Sequence, residues 1–289
     1  METNELLSKV RKIEIKTRGL SNQVFSGEYH SVFKGRGMAF SEVREYAPGD
    51  DIRTIDWNVT ARFGHPYVKV FEEERELTVM LLADMSASGL FGTQSRQKQD
   101  MMTEIAAVLA FSAIQNNDKV GIIFFTDRIE KYIPPKKGKS HILRIIRELI
   151  DFKPIGSKTD LGLTLKYFTN VMKKRCTAFV ISDFISPDFT DSLKIANRKH
   201  DVIALRLYDK REKEMPAIGL VRLQDQESGK SQWVDFSVEE NRKQYVINAL
   251  RREEKLKEIF NRSGVDFANI ATHENYVNPL MNLFKRREK

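Results

Sequence analysis

A single cysteine, Cys176, in 289 residues rules out an intrachain disulfide and a cysteine zinc cluster. No apolar run approaches the roughly 20 residues that a membrane-spanning helix needs. The first residues, Met-Glu-Thr-Asn-Glu, also lack the basic-then-apolar order of a secretory signal. A reducing cytoplasm is therefore the expected setting. His-Glu-x-x-His and Gly-x-Ser-x-Gly are missing, and none of His30, His65, His141, His200 and His273 stands at metal-ligand or triad spacing. These absences weigh against an enzyme; a hydrolase would have to work around one ion held by aspartates. Gly35-Arg36-Gly37 fails as a dinucleotide loop, because no strand leads into it and no helix opens after it. Internal repeats and low-complexity linkers are missing too.

What is present describes a soluble globular chain, 41% hydrophobic and 30% charged, long enough to bury a sizeable core. The net charge of +8 is unevenly placed: residues 1–75 carry 12 Lys/Arg against 12 Asp/Glu, so the whole excess lies in residues 76–289. Those basic groups are scattered among acids along helical stretches, the pattern of solvated faces, and no RNA- or DNA-binding motif accompanies them. Nucleic-acid binding stands as an alternative that rests on bulk charge alone.

The organising stretch is residues 77–88, Leu-Thr-Val-Met-Leu-Leu-Ala-Asp-Met-Ser-Ala-Ser. Its apolar run reads as a strand buried on both faces. It breaks into Asp84, Ser86 and Ser88, all hard oxygen donors. In an open parallel sheet, ligands bind beyond the carboxyl ends of the strands, where these side chains would project. One carboxylate with alternating hydroxyls suits octahedral Mg²⁺, which keeps several waters, better than it suits Zn²⁺. Asp and Ser are also ordinary turn and capping residues, so the spacing alone leaves both readings open.

Along the rest of the chain, residues 3–18 read as a helix with Leu6, Leu7, Val10 and Ile13 on one stripe. Residues 21–66 are rich in Gly and Pro. Asp51 there caps a short helix carrying Ile52, Ile55 and Trp57, with Arg53 placed to pair with Asp56. The two aspartates read as turn and cap more readily than as metal ligands. Strands are expected at 67–71, 119–125, 129–133 (a short edge strand, ended by Pro134-Pro135), 177–182, 201–207 and 265–270, with a hairpin over 218–236. Helices are expected at 96–115, 140–150, 161–173, 187–199, 239–262 and 276–287. Thr159 or Asp160 opens the helix at 161, and the strand over 177–182 stops at Asp183. This alternation implies an α/β fold, a mostly parallel central sheet with helices on both faces in a Rossmann-type three-layer sandwich.

Asp84, Ser86, Ser88, Thr159 and Asp183, in that order at strand ends, resemble the von Willebrand factor A fold with its metal-ion-dependent adhesion site, over about residues 76–289. The resemblance implies that the Ser86, Ser88 and Thr159 hydroxyls approach a Mg²⁺ or Mn²⁺ ion, with Asp84 and Asp183 acting directly or through water. An open coordination position would take a partner's carboxylate. One departure is Phe184 after Asp183, where the adhesion proteins usually have Gly.

The stretch Phe40-Ser-Glu-Val-Arg-Glu-Tyr-Ala-Pro-Gly-Asp-Asp-Ile-Arg-Thr-Ile-Asp-Trp57 is followed by Ala61-Arg62, Val68-Lys69 and Glu73-Glu74-Arg75. Together they are similar to the signature of the bacterial family catalogued as domain of unknown function 58. That resemblance implies an adaptor or co-chaperone of a MoxR-type AAA+ ATPase acting on client proteins. Many such proteins carry transmembrane helices near the N-terminus; this sequence shows none and resembles the soluble type. The expected organisation is an N-terminal helix and family extension over 1–75, packing on a von Willebrand factor A-like domain over 76–289. The expected function is non-enzymatic, divalent-metal-dependent protein binding; a metal-dependent hydrolase and a basic nucleic-acid binder are the alternatives.

Overall fold

A computed structural model of the chain describes residues 39–72, 77–87, 98–224 and 231–287. By their contacts these form two compact units, a smaller one that ends at Leu77 and a larger one that begins at Thr78. The expected helix at 3–18, Ser88 and the tip of the 218–236 hairpin lie outside the described residues.

In the smaller unit, β1 (Ala39–Glu45) pairs antiparallel with β2 (Tyr67–Glu72), Val43 opposite Lys69. The chain between them does not form one short helix. Asp51 accepts the Arg53 N–H at 3.0 Å and caps a 3-10 turn at Ile52–Thr54. The chain then extends through Ile55, and Asp56 caps α1 (Trp57–Phe63) by accepting from the N–H groups of Asn58 and Val59 at 3.0 and 3.3 Å. Two capping aspartates this close restart the helix rather than prolong it. Gly64 ends α1 in the left-handed region at φ 73°. Asp56 faces Lys69 at 3.5 Å. Asp50 receives both guanidinium nitrogens of Arg44 at 2.7 and 2.8 Å. These carboxylates serve local structure.

The larger unit contains β3 (Thr78–Asp84), α2 (Lys98–Gln115), β4 (Lys119–Phe125), β5 (Ile129–Lys136), α3 (Lys139–Asp151), α4 (Leu161–Val171) and β6 (Thr177–Ser182). It continues with α5 (Thr190–Lys199), β7 (Asp201–Tyr208), β8 (Leu220–Gln224), β9 (Ser231–Asp235), α6 (Glu239–Ser263), β10 (Asp266–Ala271) and α7 (Val277–Arg287). Six strands lie in the order β10-β7-β6-β3-β4-β5, all parallel except the edge strand β5, which runs antiparallel to β4. β8 and β9 pair apart from it as the expected hairpin.

β5 continues through Pro134-Pro135, where the sequence reading ended it. An edge strand needs hydrogen bonds on one side only, so it tolerates the missing N–H groups, and the ladder shifts register between Val120 and Ile122 to accommodate them.

The period-2 alternation of the strands divides the core. Met80, Leu82, Ile123, Phe125, Ala178, Val180, Val202 and Ala204 form one buried cluster with Leu161, Leu165 and Phe168 of α4, Leu193 and Ala196 of α5 and Phe260 of α6. On the other face Phe179 meets Phe284 of α7 with ring centroids 6.2 Å apart, and α3 buries Ile142, Ile145, Ile146 and Leu149. Parallel strands joined through helices bring their carboxyl ends to one edge. Asp84, Thr126, Asp183, Asp209 and Thr272 all stand there, each at or just past the end of its strand. Among the described residues no helix is long and apolar enough to cross a membrane.

Candidate metal site at the strand ends

Asp84 closes β3 and is buried. Its Oδ1 accepts the Ser86 N–H at 3.0 Å, and its Oδ2 accepts the Ser182 hydroxyl at 2.5 Å. The Thr159 hydroxyl, 75 residues further along, lies 3.4 and 3.3 Å from the two carboxylate oxygens. Ser86 is buried beside them. Asp183 follows β6; its Oδ1 accepts the Ile185 N–H at 3.1 Å. Burial first, and the charge of Asp183 second, push the Asp84 carboxyl up to about 6. Asp84, Ser86, Thr159 and Asp183 thus stand together at the strand ends, and Ser88, the fifth residue of the set the resemblance implies, lies outside the described residues.

Thr159 is placed by a loop tied down at several points. Glu130 accepts the N–H groups of Ile155 and Gly156 at 3.1 and 2.7 Å and the Thr126 hydroxyl at 2.8 Å. The Asp160 N–H donates to the Thr126 carbonyl at 3.0 Å, and the Ala87 N–H donates to the Ser157 carbonyl at 3.1 Å. Asp160 then caps α4 by accepting the Leu163 N–H at 2.8 Å. Residue 156 is glycine for a steric reason: a Cβ there would collide with the side chains of Thr126 and Asp127. The capping role that the sequence shared between Thr159 and Asp160 belongs to Asp160, which leaves the Thr159 hydroxyl for the pocket.

Phe184 stands where the resemblance expects glycine, and its backbone takes a conformation that favours glycine. Its φ is 60°, in the left-handed region, and its N–H donates to Ser182 Oγ at 2.9 Å. The buried ring repays this strain by packing 5.1 Å from Phe260 and 6.1 Å from Phe189.

Three contributors escaped the sequence reading. Ser182 reads as a strand residue, yet its hydroxyl donates to Asp84 Oδ2 at 2.5 Å. Lys98 of α2 is buried, with Nζ 3.1 Å from Asp183 Oδ2 and in contact with Glu212 Oε1. Glu212 belongs to a 3-10 turn, Lys210–Glu212, that Asp209 caps in a reciprocal box; Asp209 in turn accepts the Thr272 hydroxyl at 2.8 Å. Burial opposes the Lys98 ammonium, but Asp183 and Glu212 outweigh it and hold its pKa above the ordinary lysine value. Burial pushes the Glu212 carboxyl up despite the lysine. The sequence carried one signal for Lys98: it falls on the same helical stripe as Met101, Met102 and Ile105, a charge on an otherwise buried face.

This donor set fits a hard divalent cation. Among the described residues no group of three or more His, Cys, Asp or Glu is placed to hold a metal, so the site is not a zinc-type cluster; it is carboxylate oxygen with hydroxyls, which suits Mg²⁺ or Mn²⁺. Fully ionised, Asp84, Asp183, Glu212 and Lys98 leave two negative charges in a buried pocket, a charge that one divalent ion offsets.

Comparison with known proteins gives a consistent assignment. The family described as a protein of unknown function, DUF58, matches residues 42–255. Uncharacterized protein Rv1480 of Mycobacterium tuberculosis is 32% identical over 228 residues, 78% of this chain and 72% of that one. Uncharacterized protein YeaD of Bacillus subtilis is 26% identical over 109 residues, 38% of this chain and 25% of that one. Among solved structures, an aerotolerance-related membrane protein from Bacteroides fragilis is 16% identical over 73% of this chain and 98% of that one, with a TM-score of 0.51. At that identity the likeness concerns the fold alone, and it agrees with the sheet described above.

Proposed function

This chain belongs to the DUF58 family, and from that premise we propose that it is a protein-binding module whose strand-end pocket holds Mg²⁺ or Mn²⁺ and captures a carboxylate of another protein. The observation that carries the reading is the Thr159 hydroxyl, delivered by a distant, tightly anchored loop to within 3.3 Å of the buried Asp84 carboxylate. The von Willebrand factor A-like sheet supplies the platform, with its strand ends gathered at one edge.

Each residue has a defined task in this reading. The Ser86 N–H and the Ser182 hydroxyl orient the Asp84 carboxylate. Ser86 and Thr159 offer neutral oxygens, and Asp183 offers a second carboxylate, directly or through water. An ion held partly by neutral oxygens and water keeps an exchangeable position, which is what an acidic side chain of a partner needs. The surrounding surface must add the rest of the affinity, since a single charged contact does not make an interface.

Two histidines of the larger unit offer the pocket no general base. His141 Nε2 lies 2.9 Å from the Val120 carbonyl, and His200 Nδ1 lies 3.4 Å from Cys176 Sγ; both are near the amino ends of the strands, away from the pocket. Neither is a general base for a substrate at Asp84. Family membership supports a MoxR-type AAA+ ATPase, or a client protein of one, as the partner, with this chain as a cytoplasmic adaptor or co-chaperone.

The test is binding of a MoxR-type ATPase from the same organism to immobilised full-length protein, in Mg²⁺ and in EDTA, for wild type and Thr159→Ala. Binding that is lost in EDTA and in the variant supports the proposal. Equal binding in all four conditions overturns it, and a steep salt dependence indifferent to chelator would instead point to the basic surface.

A further inference from the structure

The pocket already contains a cation. Lys98 is held on one side by Asp183 Oδ2 at 3.1 Å and on the other by Glu212. Both oxygens of Asp183 are therefore engaged, Oδ2 by the ammonium and Oδ1 by the Ile185 N–H. A divalent ion that draws on Asp183 must share or take the oxygen that Lys98 occupies.

We propose that Lys98 sets the affinity of the pocket for divalent cations: its tethered ammonium holds Asp183 in the ion-free pocket and opposes entry of the ion. This inference rests on the metal-binding reading above and names the residue that tunes it. Three features of the pocket support it. Lys98 is almost wholly buried, with a side-chain exposure of 4%, so solvent does little to screen its charge from an ion beside Asp84 and Asp183. With Lys98 present the four ionised groups sum to two negative charges, and without it to three, so the lysine lowers the attraction for a cation. Glu212 gives the ammonium somewhere to stay when Asp183 is released. That carboxylate is fixed by the Asp209 N–H at 3.2 Å and the capped turn around it, so yielding Asp183 does not leave a buried charge unpaired.

The functional consequence is a pocket whose ion is held loosely by the chain alone. A partner's carboxylate adds a further ligand at the ion's open position, so ion and partner reinforce one another. Weak binding of the ion in the free protein is then a designed property of the site.

The experiment is calorimetric titration of Mn²⁺ into metal-stripped full-length protein, comparing wild type, Lys98→Met, Glu212→Gln and Thr159→Ala, with a thermal melt of each to establish folding. Lys98→Met is expected to bind Mn²⁺ about tenfold tighter than wild type, or more, because a like charge leaves the pocket. Glu212→Gln removes one negative charge and leaves Lys98 to Asp183, so it is expected to bind several-fold more weakly, roughly the effect of one nearby charge. Glu212→Gln keeps the test decisive even where Lys98→Met does not fold. Unchanged or weaker binding in Lys98→Met, or unchanged or tighter binding in Glu212→Gln, overturns the role of Lys98; if Thr159→Ala still loses binding, the metal reading survives. No binding heat in wild type, Lys98→Met or Glu212→Gln overturns the metal reading and this inference with it.

Discussion

Replacing Asp84 with asparagine should give a variant more stable than wild type without metal and no more stable than wild type with it. Burial and the neighbouring Asp183 lift the Asp84 carboxyl from 3.8 to about 6. That shift of about two units corresponds to about 3 kcal/mol at neutral pH by which the ionised carboxylate weakens the metal-free fold. The amide keeps the shape and loses the charge. Its oxygen still accepts the Ser86 N–H, but its NH₂ now meets Ser182 Oγ, whose proton had pointed at Asp84 Oδ2. Redirecting that hydroxyl costs about 1 kcal/mol. The net gain of about 2 kcal/mol should raise the Tm in EDTA by about 4–8 °C for a unit of this size. In Mg²⁺ at 100 times its Kd, wild type gains about 2.7 kcal/mol and the variant gains none, so the two curves meet or cross. Scanning calorimetry in EDTA and in Mg²⁺ measures both shifts. A variant that melts below wild type in EDTA, or that keeps the metal-induced rise, would refute the reasoning.

The same carboxylate gives the pH dependence its sign. Because the folded-state value is raised, native Asp84 holds its proton to higher pH than the unfolded chain does. Metal-free stability should therefore fall as pH rises from about 4 to about 6, while the metal-induced gain grows across that window; melts at pH 4.5 and 7.5 with and without Mg²⁺ check this, and a metal-induced gain that is the same at both contradicts it. Gly156→Ala should leave a cooperative melt but lose most of the metal-induced rise, because the Cβ pushes the Thr159 loop off Thr126 and Asp127; a variant with the full rise would mean that the loop does not position Thr159. Burial pushes the Cys176 thiol up to about 12, with Asp201 adding to it. Native protein at pH 8 should accordingly resist an aromatic disulfide reagent that labels it quickly in denaturant, and native labelling at the rate of a free thiol would show that the α4–β6 region opens readily.

The parts of this site that could be read from the sequence are those where a long apolar run stops at a polar residue. Asp84 ends one such run and Asp183 follows another, and parallel topology alone then puts both at one edge. Thr159 was legible only through its place in an ordered set of hydroxyl and carboxylate positions, since a helix-opening threonine is locally indistinguishable from a cap. The structure separates the two roles by giving the cap to Asp160. Lys98 and Glu212 were not legible as partners because their meeting depends on α2 and the turn after β7 converging on β6, a tertiary fact with no local period. The β5 boundary failed for a different reason. The strand lies at the edge as expected, and proline does not end the free side of an edge strand, so Pro134-Pro135 did not stop it. In the smaller unit Asp51 caps as expected while the single helix does not form: Asp56, expected to pair with Arg53, instead starts a second helix and faces Lys69, and the chain extends between the two caps.

The most direct test of the central claim is a crystal structure of the wild-type protein soaked in Mn²⁺, with anomalous scattering recorded at the manganese edge. The account predicts a single strong anomalous peak within bonding distance of oxygens from Asp84, Ser86 and Thr159. An anomalous map without a peak at these residues under saturating Mn²⁺ would contradict it.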